Sequence, residues 1–159
     1  LEYESFLLSG DKDFEWVRPK DEWQAISLSY TSGTTGNPKG VVYHHRGSYL
    51  MSMGSVSAWN MPNRLTYLYT VPMFHCNGWG YPWTLAMLHA RVVFVRNIIV
   101  KDIFDLIDKY EVTHFGGAPI VLNMIANAPP EDQKLLKNKI YVMTAGAPPP
   151  SSILQKMES

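Results

Sequence analysis

The chain has 159 residues, 46% hydrophobic and 13% aromatic, which is globular rather than disordered composition and enough for one domain with a substantial core. Fourteen basic residues balance fourteen acidic ones, so no overall field favours nucleic acid or an anionic membrane, and any anion site has to be local. A single cysteine, Cys76, excludes an internal disulfide framework and fits a reducing compartment.

Residues 1–23 are polar and aromatic without a sustained period, and Gly10-Asp11-Lys12-Asp13 and Arg18-Pro19-Lys20-Asp21-Glu22 read as turns. This is a peripheral lead-in segment. Ala25-Ile26-Ser27-Leu28-Ser29-Tyr30 is strand-like and runs into Thr31-Ser32-Gly33-Thr34-Thr35-Gly36-Asn37-Pro38-Lys39-Gly40. Glycine lets main-chain N–H groups converge on one point, the hydroxyls of Thr31, Ser32, Thr34 and Thr35 donate to phosphate oxygens, and Lys39 adds a point charge. That is an anion cradle suited to a polyphosphate. A Walker A loop needs Gly-x-x-x-x-Gly-Lys-Ser/Thr, whereas Lys39 lies three residues after Gly36 and is followed by Gly40. A flexible Ser/Gly linker would carry neither the apolar run before it nor Val41-Val42 behind it.

A helix is expected from His44 to Trp59, stopped by Met61-Pro62-Asn63, with His44-His45 capping or solvating its start rather than serving chemistry. Strand-like runs follow at 66–71, 91–95, 112–115 and 140–144, separated by helical candidates at 80–89, 101–110, 120–127 and 151–157. The alternation predicts an α/β fold, a largely parallel sheet with flanking helices and ligands at the carboxyl ends of the strands. The most apolar window, 78–95, is broken by Pro82, His89 and Arg91 and is no membrane span. Asp102, Asp105, Asp108 and Glu111 sit at helical spacing beside Lys101 and Lys109 and read as a solvated face. Trp16, Trp23 and Trp59 are assigned to packing or surface.

Val71-Pro72-Met73-Phe74-His75-Cys76-Asn77-Gly78-Trp79 follows a strand, where a sheet ligand would lie. His75 and Cys76 are a poor metal pair, because neighbouring side chains diverge and no second pair appears; from residue type alone a structural histidine is the default. Gly116-Gly117-Ala118-Pro119 and Thr144-Ala145-Gly146-Ala147-Pro148 also follow strands and on their own are ordinary turns. Without an initiating Met and with abrupt ends, the chain reads as a segment of a longer polypeptide, with no signal peptide visible at Leu1.

The Ser/Thr/Gly-rich loop ending in Pro-Lys-Gly resembles the signature of the AMP-forming acyl- and aryl-CoA synthetases, within the adenylate-forming superfamily. With Pro-Met-Phe-His, Gly-Gly-Ala-Pro and Gly-Ala-Pro in order, the resemblance spans residues 30–148 and is most similar to plant-type short- or medium-chain acyl-activating enzymes. It implies attack of a carboxylate on the α-phosphorus of ATP, then thioester formation, with ATP, Mg²⁺ and coenzyme A as cofactors and a small carboxylic acid as substrate. It also implies an intracellular location, peroxisomal or cytoplasmic. By the same resemblance Thr31, Ser32, Gly33, Thr34, Thr35, Gly36 and Lys39 hold the phosphates, Lys39 securing the departing pyrophosphate. Gly146, Ala147 and Pro148 contact the nucleotide. His75 orients the carboxylate as a catalytic residue, Phe74, Gly78 and Trp79 shape the acid pocket, and Gly116 and Gly117 flank the acyl chain. The family's later Tyr-Gly-x-Thr-Glu segment, ribose-binding aspartate and small C-terminal domain have no counterpart, so residues 1–159 are expected to be a partial adenylation domain that is inactive alone. The alternatives are a non-catalytic nucleotide-binding or interaction module and, against the lysine spacing, a GTPase- or kinase-like P-loop protein.

Overall fold

A computed structural model describes residues 2–32 and 36–158. In chain order the elements are α1 (Tyr3–Leu7), β1 (Ala25–Thr31), β2 (Lys39–His44), α2 (His45–Ala58), β3 (Thr66–Tyr69), the single turn α3 (Cys76–Trp79), α4 (Tyr81–Met87), β4 (Arg91–Phe94), α5 (Val100–Tyr110), β5 (His114–Gly116), α6 (Pro119–Ala126), β6 (Tyr141–Met143) and α7 (Ser151–Glu158). Strands β3 to β6 form a parallel sheet in the order β4-β3-β5-β6, as the alternation of strand and helix requires.

The two-residue period of the strands sorts the core into two faces. On β3, Leu68 points to one side, with Val93, Phe115 and the apolar stripe of α5 (Ile103, Phe104, Ile107), together with α6 and Ile153 of α7. Tyr67 and Tyr69 point to the other, with Trp59, Leu65, Tyr81, Leu85 and Leu88. The second face is crowded with rings: Tyr67 lies 5.4 Å from Tyr81 and 5.5 Å from Tyr69, centroid to centroid. Helices α2 and α4 cover it, joined by a buried hydrogen bond from Thr84 Oγ1 to Ser52 Oγ at 3.1 Å. Among the described residues no helix is long and apolar enough to cross a membrane.

The simple strand–loop–helix reading fails at residues 39–44. They form strand β2, which pairs antiparallel with β1 in a separate two-stranded sheet, so the loop after Thr31 closes a hairpin outside the parallel sheet. Val41, Val42 and Tyr43 favour extended backbone, and pairing them with β1 satisfies main-chain groups that a lone strand leaves open. Helix α2 therefore starts at His45, one residue later than the spacing predicts. His44 is its N-cap, the ring Nδ1 accepting from Gly47 N at 3.0 Å.

Residues 2–25 are exposed. Trp59 is packed in the core, whereas Trp16 and Trp23 are on the surface. The acidic residues of α5 face solvent and lysines, Asp105 pairing with Lys101 at 2.9 Å and Asp108 with Lys137 at 3.2 Å.

His114 is 1% exposed, stacked on Tyr141 at 4.9 Å and edge-on to Trp59 at 5.3 Å. Burial pushes its imidazole pKa below the ordinary 6.5, the neighbouring carbonyls of Asn60 and Trp59 opposing this only in part. The unfolded chain therefore takes up the proton first, and the stability this neutral histidine contributes is present above about pH 6.5 and lost as pH falls. Urea midpoints between pH 7.5 and 5.5 should drop more steeply for the wild type than for His114→Gln; parallel curves would contradict the assignment.

Candidate active site

The hairpin presents its loop from one rung. Thr31 ends β1, Lys39 opens β2, and the two are register partners, so both side chains leave the same face. Ser27 and Ser29 lie on that face of β1, opposite Tyr43 and Val41. Thr31, Ser32, Gly36 and Lys39 are exposed, and among the described residues Lys39 has no ion-pair partner. Gly36 has φ +86°, a left-handed value that favours glycine, and a Cβ there would meet nothing within 4 Å. Gly33, Thr34 and Thr35 of the expected cradle lie outside the described residues.

The segment after β3 is the most unusual backbone in the chain. Cys76, Asn77, Gly78, Trp79 and Gly80 all have positive φ, from +44° to +73°, which makes α3 one turn of left-handed helix. Three of these residues are not glycine, and each costs on the order of 1–2 kcal/mol in this conformation. The surroundings fix it. Tyr69 Oη donates to Gly78 O at 2.9 Å, and Ser27 Oγ and Ser29 Oγ both donate to Asn77 Oδ1, at 2.9 and 2.8 Å. Burial pushes the Tyr69 phenol up to about 12, so it stays a donor at neutral pH. A Cβ on Gly78 would fall 2.0 Å from Tyr69 Oη, which its bond to Gly78 O holds in place, so close approach as well as φ favours glycine there; at Gly80, where the near atom is the flexible Met51 Cε, φ +73° is the reason.

The sheet brings the other loops to the same edge. Gly116, the last residue of β5, donates its N–H to Tyr67 Oη at 3.1 Å, and its carbonyl accepts from Thr70 Oγ1. A Cβ on Gly116 would lie 3.3 Å from Trp79 Cζ3, so Trp79 and Gly116 are brought into contact. Gly117 is turned the other way, towards Val121 and Leu122 of α6. Gly146, Ala147 and Pro148 follow β6 on the exposed side of that edge, Gly146 at φ +95°. Phe74 and His75 are exposed at the entrance to the left-handed turn. Between β2, α2, the turn and α4 lies a cavity of about 360 Å³ walled by Tyr43, Met51, Cys76, Trp79 and Trp83. Trp79 thus stands between this cavity and Gly116.

Asn77, Tyr69, Ser27 and Ser29 hold this arrangement and were given no role from sequence. The period-two serines on β1 were a visible signal of a polar strand face, but nothing in their spacing named Asn77 as the acceptor.

A family model described as AMP-binding enzyme matches residues 2–159. The chain belongs to the AMP-binding enzyme family. An acetate/butyrate–CoA ligase of Arabidopsis thaliana, described as peroxisomal, is 52% identical over 99% of this chain, and an acetate–CoA ligase of Humulus lupulus is equally similar. The chain spans 28% of the length of each of these AMP-binding enzymes. The inhibitor-bound N-terminal domain of a Mycobacterium tuberculosis protein named FACL13 superposes with a TM-score of 0.87 at 26% identity, covering 98% of this chain and 39% of that one. O-succinylbenzoate–CoA synthetase of Bacillus subtilis, solved with ATP and magnesium ion, superposes at 0.79 with 22% identity over 98% of this chain and 32% of its own, an agreement of fold.

In this AMP-binding enzyme chain Gly78→Ala should destabilise by about 1–3 kcal/mol through the forced φ and the clash with Tyr69 Oη. Tyr69→Phe removes the clashing atom, leaving ring carbon 3.0 Å away as the nearest, so the two substitutions should be less than additive. Denaturant unfolding of the two singles and the double measures this, and strict additivity would show that the contact is not made.

Proposed function

We propose that the chain is part of the large domain of a longer ligase that activates a small carboxylic acid with ATP, first to the acyl-adenylate and then to the coenzyme A thioester. The observation that carries this reading is the hairpin face bearing Thr31 and Lys39, packed against the turn that carries His75 and Trp79. A phosphate cradle and an acid pocket thereby share one boundary. The 52% identity to acetate- and butyrate-activating relatives supports a short acid, and the peroxisomal description of one of them supports that compartment. Exposed Leu28, Tyr30 and Val42 on the outer face of the hairpin support a larger domain than this chain.

In this reading a carboxylate oxygen attacks the α-phosphorus, the bond to pyrophosphate breaks, and charge grows on the departing oxygens. The exposed Lys39 ammonium and the hydroxyls of Thr31 and Ser32 stabilise that charge. Open Gly36 lets phosphate approach the backbone, and Gly146, Ala147 and Pro148 hold the base and ribose. His75 orients the carboxylate, and Phe74, Gly78, Trp79 and Gly116 bound its hydrocarbon part, Gly117 being turned towards α6 instead. Mg²⁺ bound with ATP would neutralise charge on its phosphates, and no step is assigned to it.

Carboxylate-dependent ATP–pyrophosphate exchange in the full-length protein tests the reading. Lys39→Ala removes a charge-assisted contact of about 1.5–3 kcal/mol, so kcat/KM for exchange should fall roughly 10- to 150-fold. No exchange by the wild type with any acid from acetate to medium-chain fatty acids would favour a binding module instead. Trp79→Ala should join the cavity to the space over Gly116 and move the preferred acid to longer chains, each extra buried methylene being worth about 0.8 kcal/mol. An unchanged order of kcat/KM across the acid panel would remove Trp79 from the pocket.

A further inference from the structure

Asn77 Oδ1 takes two hydrogen bonds from one strand, Ser27 Oγ at 2.9 Å and Ser29 Oγ at 2.8 Å. We propose that Asn77 is a positioning residue, a clamp that fixes the phosphate-loop hairpin against the left-handed turn so that nucleotide phosphates and acid carboxylate meet in one geometry. Its catalytic consequence rests on the function proposed above; the clamp itself does not.

The clamp sits where the hairpin most needs support. Ser29 is one same-face step from Thr31, the partner of Lys39, so the contact lies roughly 7 Å along the strand from the rung that opens the loop. Among the described residues the other hydrogen bonds from the hairpin and its junction with α2 to the lead-in are at its far end. There His45 N donates to Gln24 O at 3.1 Å, Arg46 N donates to Glu22 O at 2.9 Å, and the Arg46 guanidinium meets Glu22 at 2.8 Å. A two-stranded hairpin is marginal by itself, and its outer face is exposed at Leu28, Tyr30 and Val42. Among the described residues the two serine bonds are the side-chain hydrogen bonds that tie the loop half of β1 to the turn.

Asparagine answers two demands at position 77. Its backbone is left-handed (φ +44°, ψ +50°), a region that asparagine enters more readily than most side chains. Its amide oxygen has two lone pairs, which matches the two hydroxyl donors. Glycine would satisfy only the backbone. The turn is in turn fixed to the sheet through Gly78 O and Tyr69 Oη, so hairpin, turn and sheet form one chain of contacts, with His75 directly before the turn and Trp79 within it.

The test uses the full-length protein in four forms. Asn77→Gly keeps the left-handed backbone and removes the acceptor. Ser27→Ala/Ser29→Ala removes the donors without touching the turn, Ser27→Thr/Ser29→Thr keeps them, and a triple variant combines Asn77→Gly with both alanines. In carboxylate-dependent pyrophosphate exchange, Asn77→Gly and the double alanine variant should each lose about tenfold or more in kcat, because misplacement of reactants costs rate. KM for ATP and for acid should move less than roughly threefold, the triple variant should be no worse than either parent, and the threonine variant should stay within about twofold of wild type. Hydrogen exchange gives a second reading without activity: protection of hairpin amides should fall several-fold in Asn77→Gly, and that of Gly78 and Gly80 in the double alanine variant. Wild-type kcat in the alanine variant, additive losses in the triple variant, or a threonine variant as impaired as the alanine one would overturn the positioning role. Unchanged hydrogen exchange would overturn the clamp. A wild type without exchange activity removes the ligase reading and the catalytic role with it, and hydrogen exchange then still decides the clamp.

Discussion

Five consecutive residues with positive φ, Cys76 to Gly80, are the constraint on which the rest of the site depends. A left-handed turn containing three side chains persists only when its surroundings over-determine it. Here a buried tyrosine holds it from the sheet, two serines hold it from the hairpin, and Met51 Cε packs against Gly80. The turn in exchange swings His75, Trp79 and Asn77 into positions that an ordinary strand-to-helix loop would not give them.

The tyrosine face of the parallel sheet is the foundation of this arrangement. Tyr67 and Tyr69 occupy alternate positions of β3, so both project to the same side, and their hydroxyls reach Gly116 N and Gly78 O. The turn after β3 and the end of the neighbouring strand β5 are thereby both bonded to β3. Burial pushes the pKa of both phenols upward, so they remain neutral and their hydrogen bonds are insensitive to ordinary pH. The opposite face, built from Leu68, Phe115 and the stripe of α5, is aliphatic and aromatic packing.

The hairpin is a separate device laid against that foundation. It belongs to no strand of the parallel sheet, and it reaches the site through its polar face while its apolar face points outward. A hairpin of its own can shift relative to the sheet, which a strand within the sheet cannot do without breaking ladder hydrogen bonds. Its placement is consequently a matter of a few side-chain contacts.

Most of the fold was legible because it follows from local periodicity. The runs expected at 66–71, 91–95, 112–115 and 140–144 overlap β3 to β6, and the helical candidates overlap α4 to α7, with ends shifted by up to two residues, since alternation of period 2 with period 3.6 is written in the residues themselves. The phosphate-loop wording and the post-strand motifs were readable for the same reason: Gly, Ser, Thr and Lys in a short stretch are chemistry at fixed separation. What the sequence could not show was direction and long-range pairing. Whether Val41 and Val42 continue away from β1 or fold back on it, whether Gly116 or Gly117 faces Trp79, and that Ser27 and Ser29 find Asn77 some 50 residues on, all depend on how the sheet twists and packs in three dimensions. The sequence by itself determined the elements, the kind of site and the family resemblance, because each is carried by neighbours along the chain; only the tertiary structure decided which faces meet, because hydrogen bonds between distant residues are chosen by the geometry of the whole packed domain and not by spacing.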